Sequence, residues 1–246
     1  MNHIRILRRR IDNVTFNEVL ALIQKFVRSS ACNQIVTANT LMLLAAEKDL
    51  ELANIIEKAS LVVPESWGVS WASRRQKQPL NGFIPGIDLF AALCCWAAKS
   101  GHPIYLLGAK PGTAYRAGEN LKRLYPGLRL AGTHHGYFSK ENEQAILTDI
   151  NMTHPSILFV GMDVPRQEKW IACNLQYFGA QVVMGVGGSF DVLAGDLHRA
   201  PKWIRRMGIE WAFRTLQEPW RIQRIKDLPV FMWKVMQDRQ RQQKLN

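Results

Sequence analysis

"SILFVGMDVPRQEKWIACNLQYFGAQVVMGVGG", residues 156–188, reads as strand, helix, strand. The outer pieces, "SILFVGM" and "QVVMGVGG", are continuous apolar runs with glycine at or next to their ends. A strand apolar on both sides is one covered on both faces, which is the habit of parallel sheets. The middle piece, "PRQEKWIACNLQYFG", starts on a proline and stops at a glycine, as helices do. A parallel pair joined by a helix is the repeating unit of an α/β fold.

The same alternation runs outward from this unit. Upstream, "NQIVTANT", "SLVVPES", "PIYLLGA" and "LRLAGTHHGYF" read as strands. Between them, "TFNEVLALIQKFVRS", "TLMLLAAEKDLELANIIEKA", "WGVSWASRRQ", "IDLFAALCCWAAKSG", "KPGTAYRAGENLKRLYPG" and "SKENEQAILTDIN" read as helices, with Ser139 capping the last. The fold class expected is α/β: a Rossmann-like, mainly parallel sheet with helices on both faces. A helical C-terminal appendage follows it. Ligands of such sheets sit at the carboxyl ends of the strands. That rim holds Thr37, Asn39, Glu65, Gly108, Tyr137, Gly161 to Gln167, and Gly187 to Asp191.

Past Gly195 the composition changes, so the chain divides into a core, 1–194, and an appendage, 195–246. The appendage has four of the eight Trp and reads as two or three helices broken near Pro219 and Pro229. The formal net charge is +12, and it sits at the ends. Residues 1–10 carry four Arg and no acid, and residues 199–246 carry twelve Lys and Arg against four acids. The segment between is neutral. Terminal basicity suits nucleic acid or an anionic membrane surface. Because the excess travels with Trp and Met, and no nucleic-acid motif is present, no nucleic-acid partner is expected.

No run reaches the roughly 18 apolar residues of a spanning helix. The basic start lacks the apolar run and cleavage site of a secretory signal, so a cytoplasmic location is expected. The four Cys include no C-x-x-C and read as small apolar residues in a reducing compartment. His134 and His135 are adjacent and make poor joint metal ligands, and no D-x-D pair is present to hold Mg²⁺ against a diphosphate. Neither a metal nor a cofactor is expected.

Individual motifs stay open on the residues alone. In "GVGGSFDV", Gly187 and Gly188 suit a phosphate cradle and Asp191 a ribose or base contact; a tight turn with a capping aspartate reads equally well. In "VTANT", Thr37 and Asn39 face one side of a strand end, as sugar ligands or as caps. Glu65, in "VVPESWG", is a general-base candidate or a solvated turn residue. In "GMDVPRQEKW", Gln167 and Arg166 lie near the rim, while Asp163 and Glu168 favour the helix N-terminus. The tail arginines Arg199, Arg205, Arg206, Arg214, Arg221 and Arg224 suit phosphate, or a solvated basic face.

Together these motifs resemble the WecG/TagA/CpsF glycosyltransferases (glycosyltransferase family 26). The likeness runs from about Phe16 to Arg224 and is densest in "GVGGSFDVLAGDLHRAPKWIRRMGIEWAFRTLQEPWR". "TANT", "PGIDL", "LLGAKPG", "GYF" and "PRQE" fall in the family's order. The resemblance implies metal-independent, inverting transfer of an N-acetylmannosamine-type or related hexose from a UDP-sugar. The acceptor it implies is a polyprenyl-diphosphate-linked sugar at the inner membrane face, in cell-envelope or exopolysaccharide synthesis. It implies Glu65 as base, with Thr37 and Asn39 beside it. Tyr137, Gln167, Gly187, Gly188 and Asp191 would serve the donor, and Arg214, Arg221 and Arg224 the acceptor diphosphate. The chain would act as a peripheral membrane protein. Self-association as a homo-oligomer stays open. Two residues depart from the pattern: Glu65 stands where the family has aspartate, and Phe83 where an arginine is usual. Those departures leave a second reading, a catalytically altered module that binds a UDP-nucleotide.

Overall fold

The computed structural model describes residues 2–207, 209–219, 222 and 226–245, the side chains of 206 and 239–245 excepted. Six parallel strands form the central sheet in the order β4-β3-β8-β7-β5-β6. These are β3 (Asn33–Ala38), β4 (Leu61–Pro64), β5 (Ile104–Gly108), β6 (Leu130–His134), β7 (Ile157–Gly161) and β8 (Val182–Gly185). The two apolar runs of residues 156–188 form adjacent strands, with Ile157 beside Val182 and Phe159 beside Met184.

Alternation along each strand feeds two separate layers. On one face, Ile35, Leu106, Phe159 and Met184 pack against α1 (Phe16–Phe26), α5 (Gly86–Ser100), α6 (Thr113–Leu124) and α9 (Ser189–Leu193). Phe90 of α5 meets Phe159 with tilted rings whose centres are 4.3 Å apart, and Phe190 of α9 meets Phe90 at 5.8 Å. On the other face, Val36 and Val62 meet α2 (Thr40–Ala45), α3 (Leu50–Lys58) and α4 (Trp67–Arg75). Leu107, Leu158 and Val183 meet α7 (Lys140–Met152) and α8 (Arg166–Asn174) there. Neighbouring β5 and β7 therefore send their helices to opposite faces. Such a switch opens a crevice at the strands' carboxyl ends.

Three local features differ from the sequence reading. The basic start is a hairpin, β1 (His3–Ile6) against β2 (Arg9–Asp12), whose turn puts Leu7 and Arg8 at positive φ. Buried Asp12 fastens it: its carboxylate accepts from the Arg10 guanidinium and from the Val62 N–H of β4. The long helix expected after β3 is two helices, because the Asp49 side chain caps α3 by accepting from Leu52 N–H. Pro229 breaks nothing: it lies in the first turn of α12 (Asp227–Leu245), where a helix needs no N–H.

The appendage also includes α10 (Lys202–Arg206) and α11 (Glu210–Gln217). Helix α12 lies against the core: Phe231 and Val235 are buried with α2 and α4, and Lys234 pairs with Glu47. The hairpin tip, Leu7 to Arg9, shares a cleft with Trp233, Lys234 and Gln237. The two basic ends of the chain thus meet. Among the described residues no helix is long and apolar enough to cross a membrane.

Burying Phe231 makes α12 part of the cooperative core. Phe231→Ala is expected to lower unfolding free energy by about 3 kcal/mol, read from the urea midpoint at unchanged slope.

Candidate active site

The ends of β3 and β4 bring Thr37, Asn39 and Glu65 together. Glu65 extends the ladder by one step, its N–H donating to Ala38 O. Asn39 caps α2, its side-chain oxygen accepting from Met42 N–H at 3.1 Å. Its Nδ2 is thereby turned outward and donates to Glu65 Oε2 at 3.0 Å. Capping and carboxylate binding are two jobs of one amide. The other oxygen, Glu65 Oε1, accepts from Gly86 N–H, the first of α5, at 3.3 Å. A Cβ on residue 86 would stand 2.6 Å from that oxygen and 3.6 Å from Thr37 Oγ1, so this approach requires glycine. Thr37 is buried, and its hydroxyl donates to Gly185 O at 3.4 Å.

Burial raises the Glu65 carboxyl above the usual carboxylate range, against the two hydrogen bonds and the nearby positive charge of Arg214. Glu210 adds a like charge that raises it further. Both charges come from α11, so the appendage is within electrostatic reach of this end of the rim. Arg214 also acts on Asp191, whose carboxyl is raised by burial and by the acids Glu218 and Asp196. Arg214 Nη2 is buried without a hydrogen-bond partner. A second cationic group adjoins it in sequence. Arg199 donates to Asp88 Oδ2 of α5 at 2.6 Å, and Arg205 lies 3.8 Å from the same oxygen. Arg221 and Arg224 lie outside the described residues.

The loops after β6, β7 and β8 form the other half of the rim. Gly136 N–H donates to Ala109 O, and Arg166 donates to Gly136 O at 2.9 Å, its guanidinium over the Phe138 ring. Tyr137 on that loop is 64 % exposed, so its ring face is free for a planar ligand. Gly188 caps α9, and Asp191 falls in that helix's first turn. Gln167 is buried and faces the protein: its Oε1 accepts from Met162 and Gly187 N–H at 3.2 and 2.9 Å. It ties the loop after β7 to the loop after β8. Among the described residues no three His, Cys, Asp or Glu side chains gather as metal ligands.

Gly86, Asp88 and Glu168 were missed as site residues by sequence reasoning. Gly86 and Asp88 stand in "PGIDL", where only their distant partners reveal a use. Glu168 reads as a charge favouring the start of α8, yet it is 1 % exposed and its carboxyl is pushed up to about 7 by burial. As pH rises from 4.5 to 7, the unfolded carboxyl ionises while the folded one holds its proton, so folding loses stability. Glu168→Gln removes that loss. Its stability relative to wild type is expected to grow between pH 5 and 8 in paired urea titrations.

Residues 4–245 match the model of the "Glycosyl transferase WecG/TagA/CpsF family". Curated relatives include the N-acetylglucosaminyldiphosphoundecaprenol N-acetyl-beta-D-mannosaminyltransferases of Staphylococcus aureus strains MW2 and MRSA252. Each is 38% identical over 226 residues, covering 91% of this chain and 88% of the relative. A whole-chain family match and a rim of this make agree: the chain belongs to the WecG/TagA/CpsF family of glycosyltransferases.

Proposed function

We propose that this glycosyltransferase moves an N-acetylmannosamine-type hexose from a UDP-sugar to a polyprenyl-diphosphate-linked sugar. On this reading transfer is inverting and needs no metal. The observation that carries it is the half-buried Glu65 carboxylate, held by Asn39 Nδ2 and Gly86 N–H within electrostatic reach of Arg214. The Staphylococcus aureus relatives are named for transfer of N-acetylmannosamine to N-acetylglucosaminyldiphosphoundecaprenol, which supports the lipid-linked acceptor and the donor sugar.

The chemistry is a single displacement. Glu65 takes the proton of the acceptor hydroxyl as its oxygen attacks the anomeric carbon. The glycosidic bond forms on the face opposite the leaving group, and UDP departs with the bonding electrons. A base with basicity above the ordinary carboxylate is better matched to a hydroxyl proton near neutral pH. Asn39 and Gly86 fix its direction, and Thr37 lines the same corner. The loop of Gly187 and Gly188 and the side chain of Asp191 serve the nucleotide, with Tyr137 over the base. Arg214, Arg221 and Arg224 are assigned the diphosphate charge on this reading. Trp203, Met207 and Trp211 are exposed, which supports a headgroup layer as the working surface of the enzyme.

Two experiments test the reading. With UDP-N-acetylmannosamine, a short-chain polyprenyl-diphosphate N-acetylglucosamine and EDTA, wild type is expected to turn over. Glu65→Ala should lose about 10²- to 10⁴-fold in kcat while binding UDP unchanged. The acid limb of kcat/KM should lie above the ordinary carboxylate range, because Glu65 must be ionised to act. UDP binding by wild type with no turnover on any acceptor sugar would favour a module that only binds. In a vesicle sedimentation assay, Trp203→Ser with Trp211→Ser should weaken binding to phosphatidylglycerol vesicles about tenfold. Equal sedimentation of variant and wild type would remove the aromatic anchor.

A further inference from the structure

Glu168 is an expensive residue for its place. It is 1 % exposed; its Oε1 accepts from Gln167 Nε2 at 2.7 Å, and its Oε2 is buried with no hydrogen-bond partner. A half-satisfied buried carboxyl destabilises a fold, and an apolar side chain of similar length would fill the space without that cost. Something other than packing accounts for an acid here.

The neighbouring amide supplies the reason. Gln167 Oε1 receives two backbone N–H groups, from Met162 after β7 and Gly187 after β8. With the amide reversed, its NH₂ would face two donors and both bonds would be lost. The working orientation leaves Nε2 pointing inward, where it needs an acceptor. Gly185 closes that side: a Cβ there would stand 2.1 Å from Nε2 and 3.2 Å from Glu168 Oε1. The Glu168 carboxyl is the acceptor recorded for Nε2, and an apolar residue would leave a buried NH₂ unpaired.

We propose that Glu168 is a positioning residue of the donor site: through Gln167 it holds the β7–α8 and β8–α9 loops in register, so that the Gly187–Gly188 turn is set for a nucleoside diphosphate. This rests on the donor site proposed above. Glu168 touches no substrate on this view; it acts through one amide.

The test uses the full chain and UDP as probe. Glu168→Met keeps length and volume but has no comparable acceptor; Glu168→Gln keeps a carbonyl oxygen. E168M is expected to melt no lower than wild type yet to bind UDP about tenfold or more weakly by calorimetry. E168Q should stay within about threefold of wild type. Gln167→Leu should lose affinity as E168M does, and the double variant should lose no more than Q167L alone, since the two act in series. Amide hydrogen exchange gives a readout that needs no ligand. The Gly187 and Met162 N–H groups should exchange about tenfold faster in E168M and at the wild-type rate in E168Q. Wild-type UDP affinity and exchange in E168M would overturn the inference, as would additive losses in the double variant. If E168M does not fold, E168Q exchanging at Gly187 as fast as Q167L would overturn it equally. Wild type failing to bind UDP would instead overturn the donor-site reading, and the exchange result would still decide the role of Glu168.

Discussion

Two hydrogen bonds to one carboxylate organise the rim. Asn39 Nδ2 and Gly86 N–H approach Glu65 from different elements, one from the cap of α2 and one from the first turn of α5. Each donor is itself fixed: the Asn39 oxygen is committed to Met42 N–H, and Gly86 is the first residue of a fifteen-residue helix. The carboxylate therefore accepts at both oxygens from rigid groups while the protein keeps water from most of it. That combination lets a side chain be buried, ionisable and aimed at once. The end of β4, the turn into α5 and the charges from α11 are all arranged around it.

The appendage joins the core in two distinct ways. Helix α12 is bound by packing, with Phe231 and Val235 inside the core of α2 and α4. Helix α11 brings charge to it: Arg214 favours the ionised forms of Glu65 and Asp191, and Glu210 opposes that of Glu65. Apolar packing fixes position and has no preference among ligands. An arginine that acts on two carboxylates can act on a diphosphate by the same attraction.

The sheet was legible because its strands are buried on both faces and so appear as unbroken apolar runs, as in "SILFVGM" and "QVVMGVGG". The rim was legible in outline, since the carboxyl ends of those runs are countable, and Thr37, Asn39 and Glu65 do converge. The hairpin at His3–Asp12 was hidden because its turn uses Leu7 and Arg8 at positive φ in place of glycine. The break before α3 was hidden because Asp49 sits among charges that suit a helix equally well. Glu168 shows the deeper limit. A glutamate in a first helical turn reads as an exposed favourable charge, and only the fold shows that this one points inward. Gln167 is the converse: the sequence put it near a ligand, and the structure gives its oxygen to two backbone amides. Glu65 as a base came from family likeness, for a glutamate after a proline has no distinguishing pattern of its own.

The cleft in which the hairpin tip meets α12 has a consequence for how the whole molecule travels. Arg8 and Arg9 lie beside Trp233 and Lys234, so the two charged ends of the chain are neighbours in space. Any local excess of positive charge on one part of a surface adds to a molecule's dipole moment. A negatively charged sheet of headgroups exerts a torque on such a dipole within a Debye length or so of contact. On the proposed membrane reading, such a molecule would arrive already turned, and the search for a productive pose would begin from a narrower range of orientations.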